Sequence, residues 1–490
     1  MADYKHGAYG TIQSVSSRVA SESRNAIVYI GTAPVQNVEG GAENVNKPIA
    51  VNNIADARKK FGYSDDFAKY TLCEAMHVHF EQNGVGPLVL INVLDPVAHK
   101  ASESGSKSIK PENGRIVLAD AESIIIDSIA VAGKTKGTDY SVAYSYDKKT
   151  VTIVELTAGA LGTSAISVTY DSVDATKVTA SDVIGSTDGF GLNKGVYAVA
   201  NVYQETGYIP SFILAPGFAS DPAVHKVMAE CSKKINGHWD AYMFVDMPIV
   251  NGESAMTLES AVAWKNDNGY TLENETVFYP MVKGIDGKKY HLSVLAAANF
   301  QSLLVKQDGI PYRTASNTAC DIIENLYLGE DVKGRVYDDT MINNKLCKNG
   351  ISSAAFVGGH WSIWGAHSAD YSQTDKDSIN VSETNRMMLY YISNDFQHRR
   401  TDYVDKALTA NDIQTIVAEE QTRLDALVKI GALTYGEVHL NAENDNLSDI
   451  MNGDFSFTFN VTTMPLAMSL TAVVNWTAEG FVTYYGTFAN

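Results

Sequence analysis

The stretch Tyr208-Ile-Pro-Ser-Phe-Ile-Leu-Ala-Pro-Gly-Phe218, continued by Ala241-Tyr-Met-Phe-Val-Asp-Met-Pro248, decides the fold. It begins with a short apolar strand from Ser211 to Ala215, which a Pro-Gly pair ends. An amphipathic helix is predicted over residues 221–235, and a second buried strand closes the stretch. This order is typical of a β-α-β unit in an α/β sheet. Its loops contain no phosphate-cradling glycines and no evident nucleophile.

The size and charge of the chain restrict its class. A chain of 490 residues exceeds what one ordinary core organises, so we expect two to four domains. A hydrophobic fraction of 45% is enough for packed cores. The net charge of −19 argues against nucleic-acid binding, which requires a surface rich in Lys and Arg. It suits mutually repelling subunits that assemble only through specific contacts.

The cysteines and the N-terminus indicate the compartment. The four cysteines form no CxxC pair, which favours reduced, cytoplasmic thiols. No apolar run is long enough to span a bilayer, so we predict no membrane insertion. The first seven residues lack the apolar core of a signal peptide, so export by that route is not expected.

The first three quarters of the chain divide into an arm, a core and an insertion. Residues 1–24 are polar and predict an extended N-terminal arm. Residues 25–99 and 190–380 contain apolar runs and helical patterns, and they predict an α/β core with a mixed sheet flanked by helices. Between them, residues 100–189 lose the helical periodicity and show short β-type runs separated by turns. They predict an inserted all-β sandwich or barrel domain.

The last quarter changes pattern again. Residues 381–469 predict an α+β C-terminal domain whose best amphipathic helix runs from Asp412 to Ile430. Residues 470–490 predict a C-terminal strand or arm, since Phe481-Val-Thr-Tyr-Tyr-Gly-Thr-Phe488 is rich in aromatic and β-branched residues.

The sequence contains no complete catalytic or ligand-binding motif, so we predict no enzyme activity, no cofactor and no metal. Gly133-Lys-Thr135 resembles the end of a phosphate-binding loop, but it lies in a β-rich stretch and lacks the earlier glycine. Cys73 and His77 share a helical face, whereas His79 points elsewhere and no second ligand cluster is evident. No Gly-x-Ser-x-Gly elbow is present.

Several motifs, in a colinear order, resemble the contractile tail sheath family of myophages and phage-tail-like bacteriocins. The Pro-Gly turn and the Asp-x-Pro end of the opening stretch resemble the core of that family. Other matching segments are Tyr4–Gly10, Ala26–Pro34, Asn343–Ile351, His360–Ala366 and Asp449–Gly453. The pair Ala366-His367 departs from the usual residues of its motif, so that turn is expected to differ.

The resemblance implies a mechanical assembly protein. Sheath subunits stack as hexameric rings around an inner tube and contract by rigid-body rearrangement, driving the tube through a cell envelope. Their terminal arms add strands to sheets of neighbouring subunits. The candidate arm residues of this chain are Tyr9, Ile12, Val15, Phe481, Val482, Tyr484 and Phe488.

The resemblance also implies partners: other copies of the chain, the inner tail tube protein, and baseplate and tail terminator proteins. The location would be a virion tail or a bacteriocin particle, assembled in the bacterial host cytoplasm. Two regions are candidates for tube contact, and the sequence does not choose between them: Arg386, Arg399 and Arg400, or Glu419, Glu420 and Arg423. The alternatives are an α/β enzyme and another structural phage tail protein.

Overall fold

The computed structural model describes residues 24–252, 254–326, 339–373, 379, 381–441 and 447–486. The chain forms two compact units, which divide between Thr409 and Ala410. Of the predicted N-terminal arm, only Arg24 lies within the described residues.

The elements are numbered in chain order. The strands are β1 (Asn25–Gly31), β2 (Pro48–Val51), β3 (Leu88–Asn92), β4 (Gly105–Ile109), β5 (Arg115–Leu118), β6 (Ala130–Val131), β7 (Tyr140–Ser145), β8 (Thr150–Glu155), β9 (Ile166–Tyr170), β10 (Ile209–Leu214), β11 (Tyr242–Asp246), β12 (Val250–Asn251), β13 (Ser254–Ala255), β14 (Glu275–Phe278), β15 (Met281–Gly284), β16 (Lys289–Tyr290), β17 (Ile322–Leu326), β18 (Ile351–Val357), β19 (His360–Trp364), β20 (Leu433–Leu440) and β21 (Phe457–Thr463). The helices are α1 (Ile54–Phe61), α2 (Thr71–Met76, continued by a π-helical turn), α3 (Ala180–Ile184), α4 (Val202–Thr206), α5 (Pro222–Cys231), α6 (Leu258–Asp267), α7 (Leu292–Lys306), α8 (Asp339–Lys345), α9 (Glu383–Arg400), α10 (Ala410–Lys429), α11 (Leu447–Asn452) and α12 (Glu479–Gly486).

The first unit is built on an eight-stranded mixed sheet. Its strand order is β2-β3-β1-β10-β11-β14-β18-β19. The six inner strands are parallel, and the two outer strands, β2 and β19, are antiparallel to their neighbours. The strand–helix–strand unit predicted from the opening stretch is β10-α5-β11, which confirms that prediction.

Helices cover both faces of this sheet. Neighbouring side chains along a strand point to opposite faces, so Phe212 and Phe244 belong to one core while Ile213 and Met243 belong to the other. Helices α2 and α7 pack in the first core, and α5 and α6 in the second. Fully buried strands such as β3 therefore consist almost entirely of apolar residues, as parallel sheets require.

Two further antiparallel sheets follow β3 in the sequence. Their orders are β4-β9-β6 and β5-β8-β7, and they share a separate core that includes Ile116, Ile153 and Val168. The chain enters and leaves this insert side by side, because Ala101 N–H donates to the Ser172 carbonyl (2.7 Å). The predicted boundary at residue 189 is too late: α3 already packs in the core of the large sheet.

The second unit consists of α10, α11, α12 and the β20–β21 hairpin. The stripe Ile416, Leu424 and Leu427 of α10 is buried, and α10 packs on β20. Gln421 fixes their register, since its amide donates to the Gly436 carbonyl (2.9 Å) and its carbonyl accepts from Val438 N–H (3.1 Å).

Two predictions about the last quarter of the chain were wrong. Helix α9, predicted to belong with the C-terminal domain, lies in the first unit because its apolar side chains are buried there and Asn394 bonds to Asp240. The predicted strand at residues 481–488 is helical from Glu479 to Gly486. A β-prone segment adopts a strand only beside a pairing partner, and the single chain supplies none within the described residues.

Candidate functional site

The carboxyl ends of β1 and β10 meet where the strand order of the large sheet reverses. Open α/β sheets place ligands in the crevice at such a point. Here Thr71 fills the crevice: a Cβ on Gly31 would lie 2.3 Å from its Oγ1, and one on Gly217 would lie 3.1 Å from its Cγ2. Gly217 also has a φ of 79°, which a side chain would strain.

A buried charge cluster lies beside Thr71. Asp246, at the end of β11, accepts hydrogen bonds from the Ser293 N–H (3.0 Å) and hydroxyl (2.5 Å) at the start of α7. Glu74 of α2 accepts from the N–H of His291 (2.6 Å) and from its Nδ1–H (2.7 Å). The two carboxylates thus cap the first turn of α7 and join it to β11 and α2.

The neighbouring carboxylates shift the pKa of the histidine in this cluster. Burial alone lowers the pKa of His291, but the charge and hydrogen bond of Glu74, together with the charge of Asp246, raise it to about 9. Burial raises the pKa of Asp246, although His291 and Ser293 oppose that shift. An imidazolium held between two carboxylates is consistent with these directions.

The crevice is therefore occupied by the side chains of the protein itself. The charged side chains beside it link α2, β11 and α7 through hydrogen bonds. Sequence reasoning missed the cluster because Glu74, Asp246 and His291 are far apart in the chain. The one signal in the sequence is the aspartate that ends a buried apolar strand, because burial there requires a hydrogen-bonding partner.

The residues tested as a metal site have other roles. Cys73 is buried in the first core, where burial raises its thiol pKa to about 12. His79 lies between the hydroxyl of Tyr29 (2.7 Å from Nε2) and the amide oxygen of Gln301 (2.6 Å from Nδ1). His77 contacts Glu81 through Nδ1 (2.6 Å). Over the described residues, no group of three or more His, Cys, Asp or Glu side chains is arranged to hold a metal ion.

The basic candidates for tube contact lie on α9 and are partly buried. Arg386 pairs with Glu273 (2.6 Å), and Arg399 pairs with Asp395 one turn earlier (2.6 Å). Arg400 lies over the ring of Tyr403. Both ion pairs bind side chains of the same chain, so contact with another protein competes with them.

The candidates on α10 divide between exposed and buried positions. Glu419 is exposed and Arg423 is half-buried. Glu420 was predicted to lie on the polar face, and this is wrong: it is 1% exposed. It falls in the same stripe as Ile416 and Leu424, at intervals of four residues, which the helix turns inward.

The end of the second unit exposes a row of large apolar side chains. Residues 464–478 have no regular secondary structure, and within them Leu470, Val474 and Trp476 are 91%, 90% and 80% exposed. The arm candidates Phe481 and Tyr484 are also exposed, on α12, and the backbone of Val482 belongs to the same helix. The other arm candidates lie outside the described residues: Tyr9, Ile12, Val15 and Phe488. Large exposed apolar patches are rare on monomeric proteins and commonly mark interaction sites.

Comparison with known proteins agrees with these features. No family model matches the chain. The tail sheath protein of Burkholderia phage BcepMu is 23% identical over 507 aligned residues, which cover 99% of each chain. The chain is similar over its length to a contractile tail sheath protein. The alignment runs over the full length of both proteins, so it includes the insert and the second unit as well as the core.

Solved sheath structures share the fold. The PVC sheath of an extracellular contractile injection system, in its contracted state, aligns over 98% of this chain with a TM-score of 0.55 and 12% identity. A chain of the anti-feeding prophage baseplate aligns over 97% with a TM-score of 0.54 and 12% identity. The predicted mixed α/β fold is thereby confirmed. Over the described residues, no helix has the length and apolar character to cross a membrane.

Proposed function

We propose that this chain is the structural subunit of a contractile tail sheath. Copies stack as hexameric rings around an inner tube, and contraction rearranges them as rigid bodies so that the tube is driven through a cell envelope. The full-length relationship to a phage tail sheath protein supports this proposal. The large sheet suits a rigid body, since both of its faces are buried and its ligand crevice is filled.

The observation that carries the proposal is the small, two-stranded sheet of the second unit, together with the exposed apolar segment that follows it. Its β20–β21 hairpin has no third strand among residues 410–441 and 447–486. A two-stranded sheet is marginal in water, and a strand from another chain can extend it. The chain then ends in an exposed apolar segment. Strand addition between copies satisfies both features at once.

The proposed partners are those that the sheath function requires. Neighbouring copies bind through residues 1–24 and 470–490, an inner tube protein binds the second unit or α9, and baseplate and tail terminator proteins bind the ends of the polymer. Glu419 and Arg423 are the better placed of the tube candidates on α10, because Glu420 is buried. The particle is a virion tail or a bacteriocin, assembled in the host cytoplasm.

Truncation tests the arms. The full chain, a chain lacking residues 1–20 and a chain lacking residues 470–490 are purified and compared by sedimentation and negative-stain microscopy. We expect hollow polymers from the full chain and none from either truncation. A matched control keeps residues 470–490 in scrambled order, so that length and composition are unchanged, and it is also expected to stay unpolymerised. Polymers that persist in all variants would overturn the exchange of arms.

A further inference from the structure

The insert, residues 99–175, joins the rest of the first unit through a narrow neck. Two segments of the chain form this neck and pair with each other. Ala101 N–H donates to the Ser172 carbonyl (2.7 Å), and Asp174 N–H donates to the His99 carbonyl (2.8 Å). The insert also has a hydrophobic core of its own. Domains joined in this way move relative to each other unless further contacts hold them. The contacts outside the neck therefore decide whether the orientation of the insert is fixed.

An arginine between two tyrosines forms the first of these contacts. The guanidinium of Arg58, on α1, lies 4.5 Å from the ring centre of Tyr63, which precedes the insert in the chain, and 4.3 Å from that of Tyr146, in the insert. The two rings also meet edge to face, with their centres 5.6 Å apart. An ion pair with Glu81 (2.7 Å) holds the guanidinium in place. Because a guanidinium stacks well on aromatic faces, this contact joins the insert to α1.

Glu122 of the insert forms a second contact, with buried side chains of the α/β part of the unit. Its carboxylate accepts a hydrogen bond from the hydroxyl of Ser64, and its carbonyl accepts one from the side-chain amide of Gln36 (3.0 Å). Ser64 and Gln36 are each 2% exposed, so both bonds are shielded from water. A small tilt of the insert would break them without admitting water in their place, and this loss is costly.

The remaining contacts are weaker, and a cleft lies beside them. Asp127 of the insert accepts a hydrogen bond from Gly40 N–H (2.8 Å), at exposed positions. Exposed polar contacts of this kind contribute little. Next to Glu122, a cleft of about 410 Å³ opens between Tyr70 and the Lys149 side chain of the insert. The insert therefore has room to tilt once the contacts of Arg58 and Glu122 are removed.

We propose that the contacts of Arg58 and Glu122 fix the insert in one orientation on the α/β part of the first unit. Without these contacts the neck acts as a hinge, and the insert tilts toward the cleft while its own core stays folded. The inference goes beyond the proposed function, because it holds for a single chain whether or not that chain polymerises.

Two variants remove the orienting contacts, and two matched variants keep them. The double variant Arg58→Ala/Glu122→Ala removes both contacts, and Tyr146→Ser removes only the aromatic ring that the insert contributes. Tyr146→Phe keeps an aromatic face for the guanidinium. Arg115→Ala removes an exposed arginine on β5 and controls for the loss of an arginine as such. Circular dichroism verifies that each variant keeps its secondary structure.

The assay is the distribution of distances between two spin labels, measured by dipolar electron spin resonance on the frozen, monomeric chain. One label replaces Ser141 in the insert and the other replaces Lys226 on α5, both exposed positions. The labels are attached through ketone-bearing side chains, so that the native cysteines stay unmodified. We expect one narrow distribution for the unsubstituted chain and for both matched variants. The distributions of the double variant and of Tyr146→Ser are expected to be about twice as broad or more.

The outcomes separate this inference from the sheath function. A broad distribution in the unsubstituted chain refutes a fixed orientation. A distribution that stays narrow in the double variant refutes the role of Arg58 and Glu122, and so does a loss of secondary structure, since these contacts would then hold the fold rather than the orientation. Sedimentation of the same chains at high concentration reports polymerisation separately. An unsubstituted chain that never polymerises refutes the proposed function and leaves the fixed orientation standing.

Discussion

The pH dependence of stability tests the buried charge cluster most sharply. The perturbation is His291→Gln, which keeps a hydrogen-bond donor near Glu74 but removes the charge. His291 has a pKa of about 9 in the folded chain, against an ordinary value of 6.5. Because the folded value is the higher one, the stabilisation is fully present below pH 6.5 and is lost as pH rises through 9.

The magnitude follows from the shift. A pKa difference of this size corresponds to about 3 kcal/mol at low pH, and about 2 kcal/mol of it disappears between pH 7 and pH 9. Lys265 acts in the opposite sense: burial lowers its pKa to about 8, despite the nearby charges of Glu275 and Asp370, so its contribution grows as pH rises. The change in the unfolding free energy of the protein with pH therefore contains the contributions of both groups. Only the difference between the unsubstituted chain and the variant isolates the contribution of His291.

Urea unfolding followed by tryptophan fluorescence measures this difference. Trp239 and Trp264 are buried in the first unit and report its unfolding. The chain is kept at concentrations at which it is monomeric, since association adds its own stability. We expect the stability gap between the unsubstituted chain and His291→Gln to shrink by about 2 kcal/mol from pH 7 to pH 9. His238→Gln removes an exposed imidazole and controls for the loss of a histidine as such.

A gap that stays constant between pH 7 and pH 9 would refute the charged state of His291. Carbon-13 NMR of labelled histidine provides a second reading that does not depend on unfolding. The resonance missing from His291→Gln is expected to titrate with a midpoint near pH 9, and a midpoint near 6.5 would contradict the cluster.

Three further predictions concern stability. Gly436→Ala places a Cβ 2.9 Å from the Cβ of Leu424, so calorimetry is expected to show the second unit destabilised by about 1–3 kcal/mol; an unchanged transition would contradict the close packing of α10 on β20. Residues 99–175 are expected to fold alone around their own core and to give dispersed NMR spectra, which Ile153→Asp abolishes; a collapsed spectrum from the unsubstituted fragment would contradict a separate domain. Asn92 accepts a hydrogen bond from Ala33 N–H and donates one to the Leu94 carbonyl, so Asn92→Ala leaves these buried backbone groups unpaired. We expect the urea midpoint to fall by the equivalent of about 2–4 kcal/mol, and an unchanged midpoint would contradict the importance of these two bonds.

Periodicity predicted the architecture well where burial alone decides it. The continuous apolar run of β3 and the β10-α5-β11 unit follow from side chains that are buried on both faces of a sheet. The insert is also visible in the sequence, because helical periodicity disappears there. Its end before α3 was not predictable, since α3 is a short helix whose single buried valine carries little pattern.

Features that depend on distant contacts were not predictable. Glu420 occupies an inward position on α10, and hydropathy places any glutamate on the polar face. The cluster of Glu74, Asp246 and His291 joins three elements far apart in the chain. The helical state of residues 479–486 contradicts their strand propensity, because propensity is realised only beside a pairing strand.

The most direct test of the sheath function is the symmetry of what the chain forms. The purified full-length protein is concentrated and examined by cryo-electron microscopy, with end-on views classified by rotational symmetry. The sheath function predicts hollow tubes of stacked rings with sixfold symmetry, in which each subunit contacts its neighbours through both chain ends. A chain that remains monomeric at high concentration, or polymers without a central channel, would contradict it.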